Sequence, residues 1–248
     1  DEVHIAAKPR QSLYQLFTSC NFFHLDYNFA NNIKILSFTA TPNVLHEHFA
    51  TSWQSSHCSI HMDVPSQYVG MDTLLEQNRL FINHDLAGFD FQTQSVKPQT
   101  FQHICDYFNI IDISSSPKFH IIRTHRGLLH RLTIKNFAIT LDKHFKHIPV
   151  SLISEPKQTH FDFDSFIQNA PQKHTFIFII DKLRCAKSLN LTHVGSLYER
   201  HVHKPNFEAI HQGLLGRCSG FHPTSHTICF SQFHAIMTPF KHSFAKAY

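Results

Sequence analysis

From Ser114 to the C-terminus, apolar runs alternate with stretches of helical spacing. Thr175-Phe-Ile-Phe-Ile-Ile180 is the clearest strand, a continuous apolar run of the kind that parallel sheets bury on both faces. Shorter runs at 118–122, 149–153, 193–198 and 226–230 predict four more strands. Between them, Leu128, Leu129, Leu132, Phe137, Leu141 and Phe145 recur near helical spacing and predict a helix over 127–146. Further helices are expected at 162–169 and 206–215. Strands alternating with helices argue for a parallel α/β sheet flanked by helices.

The N-terminal part is less regular. Residues 11–29 predict a helix and then a loop, and 33–38 a short strand that runs into Thr39-Ala40-Thr41-Pro42, where Pro42 stops any helix. Val44 to Trp53 suits a helix. Over 60–116 only 71–80 and 100–111 have helical spacing, and the Ser114-Ser115-Ser116-Pro117 break is the best linker candidate.

Composition narrows the functional classes. No apolar run approaches the roughly 18 residues that span a bilayer. The six cysteines form no CxxC pair, which favours a reducing, intracellular compartment over a disulfide framework. The net charge of +4 is compatible with a polyanionic partner without requiring one. Twenty-three histidines invite a metal reading, but no HExxH and no zinc-finger spacing is present. None of the seven glycines precedes Lys and a hydroxyl residue, so the chain has no P-loop.

Four short stretches carry candidate chemistry. Asp1-Glu2-Val3-His4 offers paired carboxylates, one able to hold Mg²⁺ through its waters and one to orient an attacking water. An exposed acidic start is the plainer reading. Thr39, Ala40 and Thr41 supply hydroxyls that can couple that box to a second domain, although Ser/Thr turns before Pro are common. Lys182 to Leu189, with Arg184 and Lys187, is a basic loop directly after the buried strand, where open α/β sheets bind ligands. Gln212 to Gly220 ends a helix in Gly216-Arg217, which can present a guanidinium to a γ-phosphate or simply cap the helix. Arg123, Arg126 and Arg131, interleaved with His120, His125 and His130, suit either a phosphate backbone or a solvated helix face.

The order of these stretches resembles superfamily 2 helicases of the DExH type. Asp1 to His4 looks like motif II, Thr39 to Thr41 like motif III, Arg184 to Leu189 like motif V, and Gln212 to Arg217 like motif VI. Gln67-Tyr68-Val69-Gly70-Met71, Pro171-Gln-Lys-His-Thr175 and the Leu-Leu-Gly-Arg form of motif VI bring it closer to helicase-like proteins of phages and large DNA viruses. The resemblance implies two RecA-like domains that hydrolyse ATP with Mg²⁺ in the cleft between them and move on DNA or RNA. It implies Asp1 for the metal, Glu2 as general base and Arg217 as arginine finger. His4, Gln212, Gly216 and Lys187 would lie near the nucleotide, and Arg123, Arg126 and Arg184 on the nucleic acid.

On this reading residues 1–60 end a first RecA-like domain, 61–113 connect, and 114–248 form a second. With the acidic box at the first residue, the chain is expected to be the back half of a longer protein, inactive alone. It would work in the cytoplasm or at a viral replication site. The sequence departs from the family in lacking motif I, in an extra residue between Gln212 and Gly216, and in Cys185-Ala186 within motif V. Those departures keep open a second class of function, a catalytically silent helicase-derived module that binds nucleic acid or a protein.

Overall fold

The computed structural model describes residues 12–34, 65–154, 163–180, 189–204, 213–221 and 226–232. The chain divides into two compact units, Asp1–Pro65 and Ser66–Tyr248. In the first, α1 (Ser12–Ser19) is the helix expected within 11–29, and a second short helix, α2 (Leu25–Ala30), stands in place of the expected loop. Asn21 turns the chain between them at φ 58°, a left-handed conformation that Asn tolerates. Phe17 then packs edge-on against Phe22 and Phe23, with centroids 5.6 and 5.7 Å away.

The second unit runs α3 (Met71–Glu76), β1 (Leu80–Phe81), β2 (Phe89–Asp90), β3 (Ser95–Val96), α4 (Pro98–Ile110), β4 (Phe119–Arg123), α5 (Leu128–His144) and β5 (Val150–Ser154). It continues with α6 (Phe163–Ile167), β6 (His174–Ile179), β7 (Val194–Tyr198), α7 (Leu215–Cys218) and β8 (Ile228–Phe230). Six strands form one sheet in the order β1-β8-β7-β4-β6-β5, and every pairing is parallel. The α/β class read from the sequence is therefore present as a six-stranded parallel sheet flanked by helices. Starting at β4, the chain builds β5 and β6 to one side and then reverses to build β7 and β8 on the other.

Strand alternation sorts the core into two layers. Ile121, Ile177, Ile179, Leu197 and Cys229 face one side, where Leu74, Phe163, Ile167, Leu214 and Leu215 cover them. Ile122, Phe176, Phe178, Tyr198 and Phe230 face the other, under Ile104, Tyr107 and Phe108 of α4 and Phe137 of α5. The second layer is mostly aromatic and its rings meet edge to face, as between Phe108 and Phe137 at 5.4 Å and Phe137 and Phe178 at 5.2 Å. Seven of the 25 phenylalanines lie in or against this one layer. Among the described residues no helix is long and apolar enough to cross a membrane.

Helix ends follow local rules. Pro98 occupies the first turn of α4, where its missing N–H costs nothing. Gly127 precedes α5 at φ 66°, and Lys143 and His144 sit in the last turn of that helix, near the negative end of its dipole. The hairpin β2–β3 lies over α5: Ala87 and Phe89 pack on Leu132, and Lys135 Nζ stands 4.0 Å above the Phe89 ring. Asn136 Nδ2 ties the hairpin's base by donating to the carbonyls of Leu86 and Gly88 at 3.0 and 3.1 Å.

Residues 66–113, expected as a connector, are integrated into the second unit. Leu80 and Phe81 pair with Cys229 and Phe230 to form one edge of the sheet, and α4 covers the aromatic layer. A two-residue strand has no periodicity to read. The helix expected at 206–215 is described only from 213, where α7 begins at Leu215; the strand expected at 33–38 is described only at 33 and 34, and the helix expected at 44–53 lies outside the described residues.

Gly195 in β7 is required for packing. A Cβ built there would come within 2.8 Å of His120 Cε1 and 3.0 Å of Lys118 Cβ. Gly195→Ala is expected to destabilise the chain by about 1–3 kcal/mol through overpacking, measured as a lower urea midpoint.

Candidate functional site

Because all six strands run parallel, their carboxyl ends share one edge. Open α/β sheets bind ligands at that edge, where the strand order reverses, here between β4 and β7. Thr124–Arg126 leave β4 there and Glu199–His201 leave β7. Asn83–Asp85 follow β1, and Ser231 and Gln232 follow β8. The basic loop of Arg184 and Lys187 follows β6 but lies outside the described residues.

Glu199 is the centre of this edge. Its Oε2 accepts from Arg123 Nη1 at 2.6 Å and from the backbone N–H of Leu214 at 3.1 Å. Its Oε1 accepts from the N–H of Arg200 at 3.1 Å, and its carbonyl from Asn83 Nδ2 at 2.7 Å. Both members of the ion pair are buried, with side chains 4% and 7% exposed. One carboxylate therefore joins β4, β7 and the segment that opens α7. Arg217, whose N–H donates to the Leu214 carbonyl at 3.0 Å, is held one turn beyond that anchor.

Next to it, Thr124 continues the β4–β6 ladder, its N–H donating to the Ile179 carbonyl at 2.8 Å. Its hydroxyl lies 2.6 Å from His130 Nδ1, and His130 Nε2 lies 2.9 Å from Ser154 Oγ. His130 thereby links the start of α5 to the end of β5.

A second polar chain crosses the interior toward the amino edge. Tyr107 Oη is 2.7 Å from Ser196 Oγ, which is 2.9 Å from His120 Nδ1. His120 Nε2 is 2.9 Å from His174 Nδ1, and His174 Nε2 is 3.2 Å from the Ser115 carbonyl. That carbonyl can only accept, which sets every proton in turn. His174 Nε2–H donates to Ser115, His120 Nε2–H to His174, Ser196 O–H to His120, and Tyr107 O–H to Ser196. Both imidazoles are neutral. Burial holds His120 well below the usual imidazole range, with His174 and Lys118 adding to the effect. Burial also lowers His174, against the opposing pull of its bond to Ser115. Ser196 and His120 are both fully buried, so this serine–histidine pair is structural.

The sequence-predicted residues fall into three groups. Asp1, Glu2, His4, Thr39, Ala40, Thr41, Arg184, Lys187 and Gln212 lie outside the described residues. Arg217 and Gly216 sit in α7, half-buried, and Arg126 is exposed in the loop after β4. Arg123 departs from expectation: it is buried in the pair with Glu199 instead of facing a phosphate backbone. His120 and His130, grouped with it as a basic surface, are interior as well. The reason is positional, since a residue ending a strand buried on both faces turns inward with it.

The fold also joins two stretches about 150 positions apart. Val69 and Gly220 form an antiparallel bridge, with N–H to O distances of 2.9 and 3.0 Å, and the Tyr68 ring meets Phe221 edge-on at 5.5 Å. The Tyr-Val-Gly segment is thus fastened directly behind α7. Sequence reasoning missed Glu199, Asn83 and Thr124. The one available signal was a lone carboxylate directly after the 193–198 strand, opposite an arginine directly after another.

No protein-family model matches the sequence, and comparisons with curated proteins and with solved structures give no match.

Proposed function

We propose that this chain is the C-terminal portion of an ATP-dependent nucleic-acid helicase or translocase, with Ser66–Tyr248 containing a RecA-like second motor domain. The observation that carries the proposal is the anchoring of the Leu214–Arg217 segment by Glu199 at the carboxyl edge of a parallel sheet, beside its point of reversal. An arginine finger needs that kind of support, because a guanidinium stabilises a transferring phosphoryl group only when it is held in place beforehand. The order of the four motif-like stretches in the sequence adds to it.

In this reading Arg217 neutralises charge developing on the nucleotide, and Glu199 and Arg123 act as positioning residues behind it. Asp1 would hold Mg²⁺, Glu2 would accept a proton from water, and His4, Gln212, Gly216 and Lys187 would surround the phosphates. ATP supplies the phosphoryl group and Mg²⁺ the Lewis acidity. Among the described residues no group of three or more His, Cys, Asp or Glu is placed to hold a metal ion. Nucleic acid would run over the carboxyl-edge loops that carry Arg126 and Arg184.

Arg217→Ala, made in the protein together with any upstream sequence that supplies a P-loop, is expected to lower nucleic-acid-stimulated ATP hydrolysis by about 10³-fold or more. The melting temperature is measured alongside, because Nε and Nη2 of Arg217 are buried and truncation also removes their packing. Unchanged hydrolysis would end the motor reading. The extra residue between Gln212 and Gly216 favours a second reading, a catalytically silent binding module, which would bind nucleic acid or a protein without hydrolysing ATP.

A further inference from the structure

Five histidines gather beyond the carboxyl ends of β1, β4 and β7. His84 follows β1 and stacks on His103 of α4, with ring centroids 4.0 Å apart and planes 15° from parallel. His125 follows β4, and its Nε2 is 2.8 Å from the carbonyl of His201, which follows β7. A carbonyl only accepts, so Nε2 carries the proton there. The His201 and His203 rings lie 6.0 Å apart.

The backbone beneath this group is fixed. The N–H of His84 donates to Tyr198 Oη at 2.7 Å, and the Tyr198 hydroxyl donates back to the His84 carbonyl at 3.0 Å. Gln232 clasps Val202 through both its N–H and its carbonyl, at 3.1 and 2.7 Å. Two carboxylates face the cluster, Asp85 after β1 and Asp106 on α4. The same loops carry three permanent cations, Arg126, Arg200 and Lys204.

Burial and the neighbouring imidazoles His103 and His201 keep His84 below the ordinary histidine range, and Asp106 opposes them. His201 is lowered by burial, with His203, His125 and His103 adding to it and Asp85 opposing. His84 and His201 are therefore held in the neutral form at neutral pH, and a bound anion is what would favour their charged form. Among the described residues no three His, Cys, Asp or Glu side chains converge to hold a metal ion.

We propose that the five histidines form a proton-gated contact site for the phosphates of single-stranded nucleic acid. The inference rests on the nucleic-acid reading of the carboxyl edge and is independent of ATP hydrolysis. Protonated rings add to the cations of the same loops, and a bound phosphate in turn favours the protonated ring, so proton and strand bind cooperatively. The exposed face of His84 offers a surface on which a base can stack, which single strands provide and a closed duplex does not.

The test measures binding of a fluorescein-labelled oligothymidylate to the full chain by anisotropy, at about pH 8 and about pH 6 and at fixed ionic strength. Near-UV circular dichroism at both values confirms that the fold is intact. Wild type is expected to bind about tenfold more tightly at the lower pH, with a steeper salt dependence there, by about 0.7 for each ring that meets a phosphate. His84→Gln/His203→Gln removes two exposed rings and is expected to reduce the ratio of affinities at the two pH values to about twofold, with a pH-independent loss from the missing His84 stacking face. His201→Gln alone should reduce it partway.

Binding independent of pH, or a full pH effect retained in both variants, would overturn the proposal and leave the nucleic-acid reading standing. Absence of binding at either pH would overturn both. Complete displacement by tripolyphosphate at equal phosphate concentration would reassign the cluster to a nucleotide and overturn the nucleic-acid assignment.

Discussion

Glu199→Ala is expected to cost about 3–5 kcal/mol of stability, because it leaves the Arg123 charge buried without its carboxylate. The loss should appear as a fall of about 1–2 M in the urea midpoint. Pairing in an interior compensates desolvation more than it adds net stability, so removing both charges together is milder than removing one. Arg123→Met/Glu199→Leu is accordingly expected to recover most of the loss. The double variant still leaves the N–H of Leu214 without its carboxylate acceptor, whereas the Asn83 amide keeps the backbone carbonyl of residue 199. Stability regained without a well-placed α7 would separate the energetic role of the pair from its positioning role. A single-variant cost under about 1 kcal/mol would mean that water reaches the pair, and the anchoring of Arg217 would lose its basis.

Acidification should weaken the second unit through the Tyr107–Ser196–His120–His174 chain. Both imidazoles titrate lower in the folded than in the unfolded chain. Their contribution is therefore fully present above the unfolded histidine value, about 6.5. It is lost progressively as pH falls below that value, by up to about 1.4 kcal/mol per pH unit for each ring. The hydrogen-bond directions give the mechanism. A second proton on His174 Nδ1 would confront the N–H of His120, and one on His120 Nδ1 would confront the Ser196 hydroxyl. Urea titrations at about pH 7.5 and pH 5.5 should differ by about 2 kcal/mol or more. His174→Asn keeps an acceptor where Nδ1 stands and removes the titration, so its pH slope should be about half that of wild type. An equal slope in that variant would place the acid sensitivity elsewhere, with His84 and His201 the next groups to examine.

Most of the sheet was legible because its strands are long, apolar and separated by helical spacing. The runs expected at 118–122, 149–153, 175–180, 193–198 and 226–230 each fall within two residues of an observed strand. Periodicity reports burial along one segment and says little about partners. Leu80-Phe81 joins the sheet only because β8 presents an open edge to it, and β2–β3 exists because the outer side of α5 offers Leu132 and Lys135 as a floor. Neither partner can be read from the strand itself.

The candidate site was legible to a smaller extent, for a related reason. Arg123 was read as a surface cation from its basic neighbours, but its position at the end of a fully buried strand fixes its surroundings. Its partner Glu199 lies 76 positions away at the equivalent point of the adjacent strand β7. The linear pattern of Arg and His over 120–131 thus mixes interior and exterior residues: His120, Arg123 and His130 are inside, and Arg126 and Arg131 are outside. Side-chain type alone could not separate them, whereas the register of β4 does.

The closure of the sheet by β1 has a practical corollary for dissecting the chain. A piece starting at the Ser114–Pro117 break would be deprived of its outermost strand and of α4, baring the backbone of β8 and the aromatic layer at once. Unguarded rims of that sort seed aggregates, so the natural place to cut is Pro65/Ser66, ahead of every segment the sheet recruits.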